Sequence, residues 1–152
     1  MTESEYIPPP DAAPRGIPNE AEHALRFSHA REAQSNALIE DYVELIADLL
    51  LATREARTTV IAKRFGVSHP TVIKNIARLK GLGLVESQPY RGIFLTAEGE
   101  KLAKKSRERH RLIVNLLLKL GVPADAAELD SEGIEHHVSE ATLKAFERFL
   151  KS

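Results

Sequence analysis

Cysteine is absent from the 152 residues. Disulfides, thiolate zinc sites, iron–sulfur clusters and cysteine nucleophiles are therefore excluded together. Tryptophan is absent too, and the aromatics otherwise amount to three Tyr and five Phe. Apolar runs are short. Residues 49–52 and 116–118 are examples, far below the roughly 18 residues needed to cross a bilayer. No basic flank followed by an apolar stretch opens the chain, so no secretory signal is expected. The expectation is a cytoplasmic protein without a membrane partner. An excess of charge is also missing, since 21 Lys and Arg stand against 22 Asp and Glu for a formal net charge of -1. With 43% hydrophobic and 28% charged residues, the composition is that of an ordinary globular protein of one domain or two small ones.

The near-neutral sum argues against a nucleic-acid binder, but the charges are segregated. Residues 1–56 carry -7, residues 57–96 carry +6 with Glu86 as their single acid, residues 97–121 carry +4, and residues 122–152 carry -4. A basic middle between acidic ends is compatible with DNA contact, and equally with a solvated helical surface.

Residues 1–20 hold Pro8, Pro9, Pro10, Pro14, Gly16 and Pro18, which prevents a helix and offers little to bury. Residues 20–35 read as at most a weak helix, and the whole of 1–35 as a flexible extension. From Asn36 to about Ala52, Leu38, Ile39, Tyr42, Leu45, Ile46 and Leu49 recur at steps of three and four, the period of an amphipathic helix. Thr58 or Thr59 can cap a short helix ended by Gly66. Ser68 can cap the next, with Pro70 tolerated in its first turn and Val72, Ile73, Ile76 and Leu79 directed inward. Gly81 and Gly83 close it. Residues 84–95 read as two short strands around the turn Pro89-Tyr90-Arg91-Gly92. Thr96 begins a long helix with Glu98 and Glu100 in its first turn and a stripe of Leu102, Ser106, Arg109, Ile113, Leu116 and Leu120. Two short helices follow, the second capped by Ser139. The fold expected is mainly α with a small β-hairpin wing. Its parts are a winged helix-turn-helix domain at 36–96 and a helical metal-binding and dimerisation domain at 97–152.

In a helix-turn-helix, the second helix enters the major groove. Its outer positions here are Ser68, His69, Thr71, Lys74, Asn75 and Arg78, all able to donate or accept hydrogen bonds. Arg pairs with guanine edges and Asn with adenine. Lys63, Arg64, Lys80 and Arg91 are better placed as phosphate anchors. Three further places are unusual. Asp41-Tyr42-Val43-Glu44 sets two carboxylates one turn apart on an apolar helix. His110 lies beside the stripe of the long helix. Glu132-Gly133-Ile134-Glu135-His136-His137 sets Glu132, Glu135 and His136 at i, i+3 and i+4. Like charges on one face repel unless something compensates. Acid pairs and single helical histidines are commonly plain surface or structure, whereas a cation compensates the Glu-rich run most simply. Carboxylate and imidazole suit Mn, Fe or Zn, and a carboxylate-dominated set leans toward Mn.

The winged-helix pattern, the Asp41/Glu44 pair, His110, the Glu132–His137 block and the wing segment Tyr90-Arg91-Gly92-Ile93-Phe94-Leu95-Thr96 together resemble the diphtheria-toxin-repressor family of metal-dependent repressors, and within it the manganese-type branch. The resemblance spans roughly residues 36–151. It implies a homodimer that binds double-stranded operator DNA, with metal held between the two domains. By the family's pattern the ligands are Asp41, Glu44, His110, Glu132, Glu135 and His136, with His137 next to them in a supporting or structural place. The cofactor implied is Mn(II), up to two ions per subunit, with Fe(II) or another divalent metal as alternatives. Iron-type members carry Met and Cys where this chain has Asp41 and Glu132. The function implied is repression of manganese-uptake genes when Mn(II) is bound, without enzymatic activity. Alternatives are an iron-responsive regulator of the same family or a metal-free winged-helix regulator sensing an organic ligand. A carboxylate-bridged di-metal enzyme needs two Glu-x-x-His motifs, and only Glu20-x-x-His23 has that spacing.

Overall fold

The computed structural model describes residues 16–152. It consists of six helices and one hairpin. α1 spans Glu20–Thr53, α2 Thr58–Phe65, α3 His69–Gly81, β1 Val85–Gln88, β2 Gly92–Leu95, α4 Ala97–Lys119, α5 Ala124–Ile134 and α6 Glu140–Lys151. No described helix is long and apolar enough to cross a membrane.

The largest departure from the sequence expectation is the start of α1. Residues 20–35, expected within a flexible extension, form the first turns of a single 34-residue helix that runs on through the amphipathic stretch. Residues 1–15 of that extension lie outside the described part. The Asn19 side chain accepts from Glu22 N at 2.9 Å, and Glu20 and Glu22 sit in the first turn, where the helix dipole favours negative charge. An end stabilised in this way needs little burial of its own, because propagation from an existing helix avoids the cost of nucleation.

α1 buries Tyr42, Val43, Ile46 and Leu49 against Ile61, Val72, Ile76, Leu79, Val85 and Ile93. That core joins α1 to the α2–α3 pair and the wing. α2 differs from expectation at its start. Its N-cap is Arg57, with no side-chain cap bond, and Thr58 Oγ1 instead lies 2.7 Å from His69 Nε2. Ser68 caps α3, accepting from Thr71 N at 3.3 Å. The inward stripe of α3 is Val72, Ile76 and Leu79, while Ile73, expected inward, is 51% exposed. Each residue turns the helix by about 100°, so Ile73 falls outside the stripe that Val72 begins.

β1 and β2 pair antiparallel, with Val85 opposite Leu95 and Gln88 opposite Gly92. The wing is fastened to the entrance of α2 by Ile93 N donating to Ala56 O at 2.9 Å. Gly92 has φ 88, and a Cβ there would stand 2.7 Å from Ala56 O, so the approach requires glycine. Thr96 caps α4 by accepting from Gly99 N at 3.1 Å, and its hydroxyl donates to Gly83 O at 2.6 Å.

α4 is the bridge. It packs on α1 and β2, and on α5 and α6. Its stripe buries Ala103, Ser106, Ile113 and Leu116, while Leu120, expected in that stripe, is 60% exposed at the helix end. Leu118, Leu129, Ile134 and Phe149 are also exposed on the C-terminal helices.

Candidate metal centre and nucleic-acid interface

Polar side chains from both halves of the chain meet where α1, α4 and the end of α5 come together. Asp41, Glu135 and His136 offer one ligand atom each within 4.8 Å of one another, as do His110, Glu132 and Glu135. Glu135 belongs to both groups, so five of the six residues expected as ligands form two triads joined by one carboxylate. The sixth, Glu44, lies half-buried near Glu132, His110 and Asp41. Burial raises its carboxyl above the usual range, and the charges of Glu132 and Asp41 add to that.

The distances are short. His136 Nε2 lies 3.0 Å from Asp41 Oδ1 and 3.3 Å from Glu135 Oε1. His110 Nδ1 lies 2.6 Å from Glu135 Oε2 and 3.8 Å from Glu132 Oε1. Burial pushes Glu135 up to about 7, with His110 only partly offsetting it. Burial acts to lower His136, but Asp41 and Glu40 outweigh it and carry the imidazole up to about 10.

Four buried side-chain atoms among the described residues lack a hydrogen-bond partner: Ser106 Oγ, Arg109 Nε, Glu135 Oε1 and His136 Nε2. Such atoms are costly to leave unsatisfied. Glu135 Oε1 and His136 Nε2 face each other beside Asp41. Two ligands at right angles and about 2.1 Å from an ion sit about 3 Å apart, the spacing seen here. Oxygen and imidazole donors without sulfur suit a hard divalent ion such as Mn(II). The residues fit a metal.

Two neighbours of the expected ligands, Glu40 and Glu128, were not singled out from the sequence. Glu40, buried on α1, accepts from His136 Nδ1 at 2.7 Å and from Arg109 Nη1 at 3.1 Å. Burial acts to raise its carboxyl, but His136 and Arg109 prevail and hold it below the usual range. Glu128 Oε2 lies 3.1 Å from His110 Nε2. His137 bonds to the Gly133 carbonyl through Nδ1 at 3.0 Å, outside both triads.

The residues expected to contact DNA divide differently. Lys74 and Thr71 are exposed on the outer side of α3, and Arg91 is exposed on the wing. Ser68 and His69 are exposed at the start of α3, bonded to Thr71 and Thr58. Asn75, expected on the outer face, is turned toward α1, where its amide donates to Tyr42 Oη at 3.0 Å. Arg78 is exposed, and its guanidinium donates to Ser35 Oγ at 2.7 Å.

The comparisons with known proteins agree with this two-part organisation. The family description "Iron dependent repressor, N-terminal DNA binding domain" matches residues 36–93, and "Iron dependent repressor, metal binding and dimerisation domain" matches residues 96–152. The chain is 56% identical over 133 residues to the transcriptional regulator MntR of Escherichia coli O157:H7, covering 88% of this chain and 86% of that protein. It is 38% identical over 101 residues to the HTH-type transcriptional regulator MntR of Lysinibacillus sphaericus, covering 66% and 73%. Among solved structures it is similar to the manganese regulator SloR, with TM-score 0.66 and 32% identity over 74% of this chain and 53% of that one. It is also similar to ScaR with bound Zn2+, with TM-score 0.65 and 29% identity over 74% and 53%. The chain thus spans about half the length of these two structures. Its winged helix, its oxygen- and imidazole-lined junction and the match of both halves establish that the chain belongs to the iron-dependent repressor family, the metal-responsive DNA-binding family of the diphtheria toxin repressor.

Proposed function

We propose that this protein is a manganese-responsive transcriptional regulator that binds double-stranded operator DNA as a homodimer and represses manganese-uptake genes when loaded with Mn(II). The single observation that carries the reading is the pair of unpartnered buried atoms, Glu135 Oε1 and His136 Nε2, opposed to Asp41 across the junction between α1 and the C-terminal helices. The names of the relatives support the choice of manganese. So does the ligand chemistry, which has carboxylates at Asp41 and Glu132 and no sulfur. An iron-responsive reading has no soft ligand to rest on. The relatives are transcriptional regulators, and no residue is assigned a catalytic role. The setting is the cytoplasm, where operator DNA is found.

The mechanism follows from where each ligand is attached. Asp41 and Glu44 stand on α1, His110 on α4, Glu132 on α5, and Glu135 and His136 just beyond α5. When bound, the metal supplies the positive charge that four clustered carboxylates need. Held together, these side chains clamp α1 against α4 and the end of α5. α1 in turn carries Tyr42, whose hydroxyl accepts from Asn75 of α3, and Ser35, which accepts from Arg78. Fixing α1 therefore fixes α3. In a homodimer this sets the two recognition helices near one turn of DNA apart, about 34 Å. Lys74, Thr71 and Arg91 would then meet the duplex, with Arg78 at the edge of that face.

The test is a titration of labelled DNA from the promoter of a manganese-uptake gene, with and without Mn(II). Coupling of about 1–3 kcal/mol predicts roughly 5–150-fold tighter binding with metal. Equal affinity in both conditions would remove the proposal.

A further inference from the structure

We propose that Glu40, held by Arg109, is a positioning residue that presents His136 to the metal through Nε2. α1 would thereby contribute an outer support to the site besides its ligands Asp41 and Glu44. The inference rests on the metal-binding reading above and adds to it a residue that never touches the ion.

The two ring nitrogens of His136, a side chain 3% exposed, have different surroundings. Nδ1 is 2.7 Å from Glu40 Oε2 in hydrogen-bond geometry. Nε2 has no hydrogen-bond partner, although Asp41 Oδ1 and Glu135 Oε1 lie at 3.0 and 3.3 Å. One nitrogen is satisfied by the protein and the other is left facing carboxylates. A histidine that ligates a metal commonly donates its remaining N–H to a carboxylate, which sets the ring's orientation and strengthens it as a ligand. Glu40 is placed for that role, and Glu135, on the other side, is not.

Glu40 is itself fixed. Its side chain is 11% exposed, and Arg109, 14% exposed, donates from Nη1 to Glu40 Oε2 at 3.1 Å. Nη1 also lies 3.3 Å from the main-chain oxygen of Glu135, to which it donates. One guanidinium on α4 thus ties α1 to the segment that carries two ligands. A buried carboxylate held by a cation is costly to build and earns no stability by itself, whereas orienting a ligand gives it a purpose. Glu40 and Asp41 are consecutive. On the helix they diverge enough that Asp41 approaches one nitrogen of the ring and Glu40 the other.

The experiment compares Mn(II) affinity of the full chain and its Glu40→Gln variant by isothermal calorimetry. It adds the tautomer of His136 in the Zn(II)-loaded wild type, read by nitrogen NMR on histidine-labelled protein. Gln keeps the shape and an acceptor for Nδ1–H but loses the charge, so a purely structural role would leave affinity unchanged. The expected results are a 10–100-fold weaker Mn(II) affinity in Glu40→Gln and a His136 ring protonated at Nδ1 with Nε2 on the metal. Unchanged affinity, or a ring bound through Nδ1, would overturn the proposal. The second readout holds even if the variant does not fold. A wild type that binds no Mn(II) would overturn the metal reading and this proposal with it.

Discussion

The two buried regions of this protein are built on opposite rules. Between α1, α2, α3 and the wing, the interior is almost wholly apolar, and Val43, Ile46, Ile61 and Val72 are completely buried. At the junction of α1, α4 and the end of α5, the interior is charged. Glu40, Glu135 and His136 are buried there, and all four unpartnered buried atoms found among the described residues belong to it or to its immediate neighbours. The first region holds itself together. The second carries unmet electrostatic demand. Buried apolar contact is thus concentrated in the part that carries α3 and the wing, and unpartnered polar atoms in the part that connects it to the C-terminal helices.

That contrast can be broken first in the apolar region. Ile46→Ala removes a fully buried side chain and should cost about 2–5 kcal/mol, read as a lower urea midpoint with and without Mn(II). A loss below about 1 kcal/mol would mean that this core is not what holds the domain. In the charged region the expected effect is on metal rather than on folding. Glu135→Ala removes the carboxylate common to both triads. It should weaken Mn(II) binding by more than the roughly 100-fold that an outer partner can cost, with the helical circular dichroism of the metal-free protein retained. Retained metal affinity would place the site elsewhere.

A smaller effect is expected from pH. Glu135 at about 7 and His136 at about 10 both sit above their ordinary values of 4.5 and 6.5. The folded metal-free protein therefore holds protons that the unfolded chain releases. Glu135's contribution to stability is complete below about 4.5 and lost as pH rises through about 7. That of His136 is complete below about 6.5 and lost as pH rises through about 10. Metal must displace these protons, so the rise in melting temperature on adding Mn(II) should be larger near pH 8 than near pH 6 in calorimetry. A larger rise at the lower pH would contradict the assignment of these two residues as ligands. The smallest effect belongs to the DNA-facing surface. Lys74→Ala should weaken DNA binding about equally across sequences and lower the salt slope by about 1, with Mn(II) affinity unaltered. A change confined to one operator position would make Lys74 a base reader instead.

Much of the architecture can be read from the chain because it is locally encoded. Ser68, Thr96 and Ser139 cap their helices through their own side chains, and the hairpin forms around its Pro-Tyr-Arg-Gly turn. The missed features depend on tertiary context. Ile73 is as apolar as Ile76, and only the packing of α3 decides which is covered. Residues 20–35 have weak periodicity, yet a cap and an adjoining strong helix are enough to order them. At the junction, the spacing of Asp41 with Glu44 and of Glu132 with Glu135 and His136 points to those residues, since in a continuous helix each set would share a face; in the structure α5 ends at Ile134, before Glu135 and His136. Glu40 escapes that test because it is rotated about 100° from Asp41. Nothing local to α1 reveals that His136 will occupy the space against it. Arg109 carries no signal beyond its place in a mostly apolar stripe.

The length of α1 has a mechanical consequence. Asp41 stands 21 residues from the first helical residue, Glu20, which is about 31 Å of continuous rod. A tilt of only about 5° about Asp41 would sweep the free tip through about 3 Å, given that lever arm. Moving as a rod, the helix would convert a small change around one carboxylate into a displacement visible from outside the molecule. Distance labels near its tip and on the last helix would follow the junction's state directly, as a needle follows a gauge.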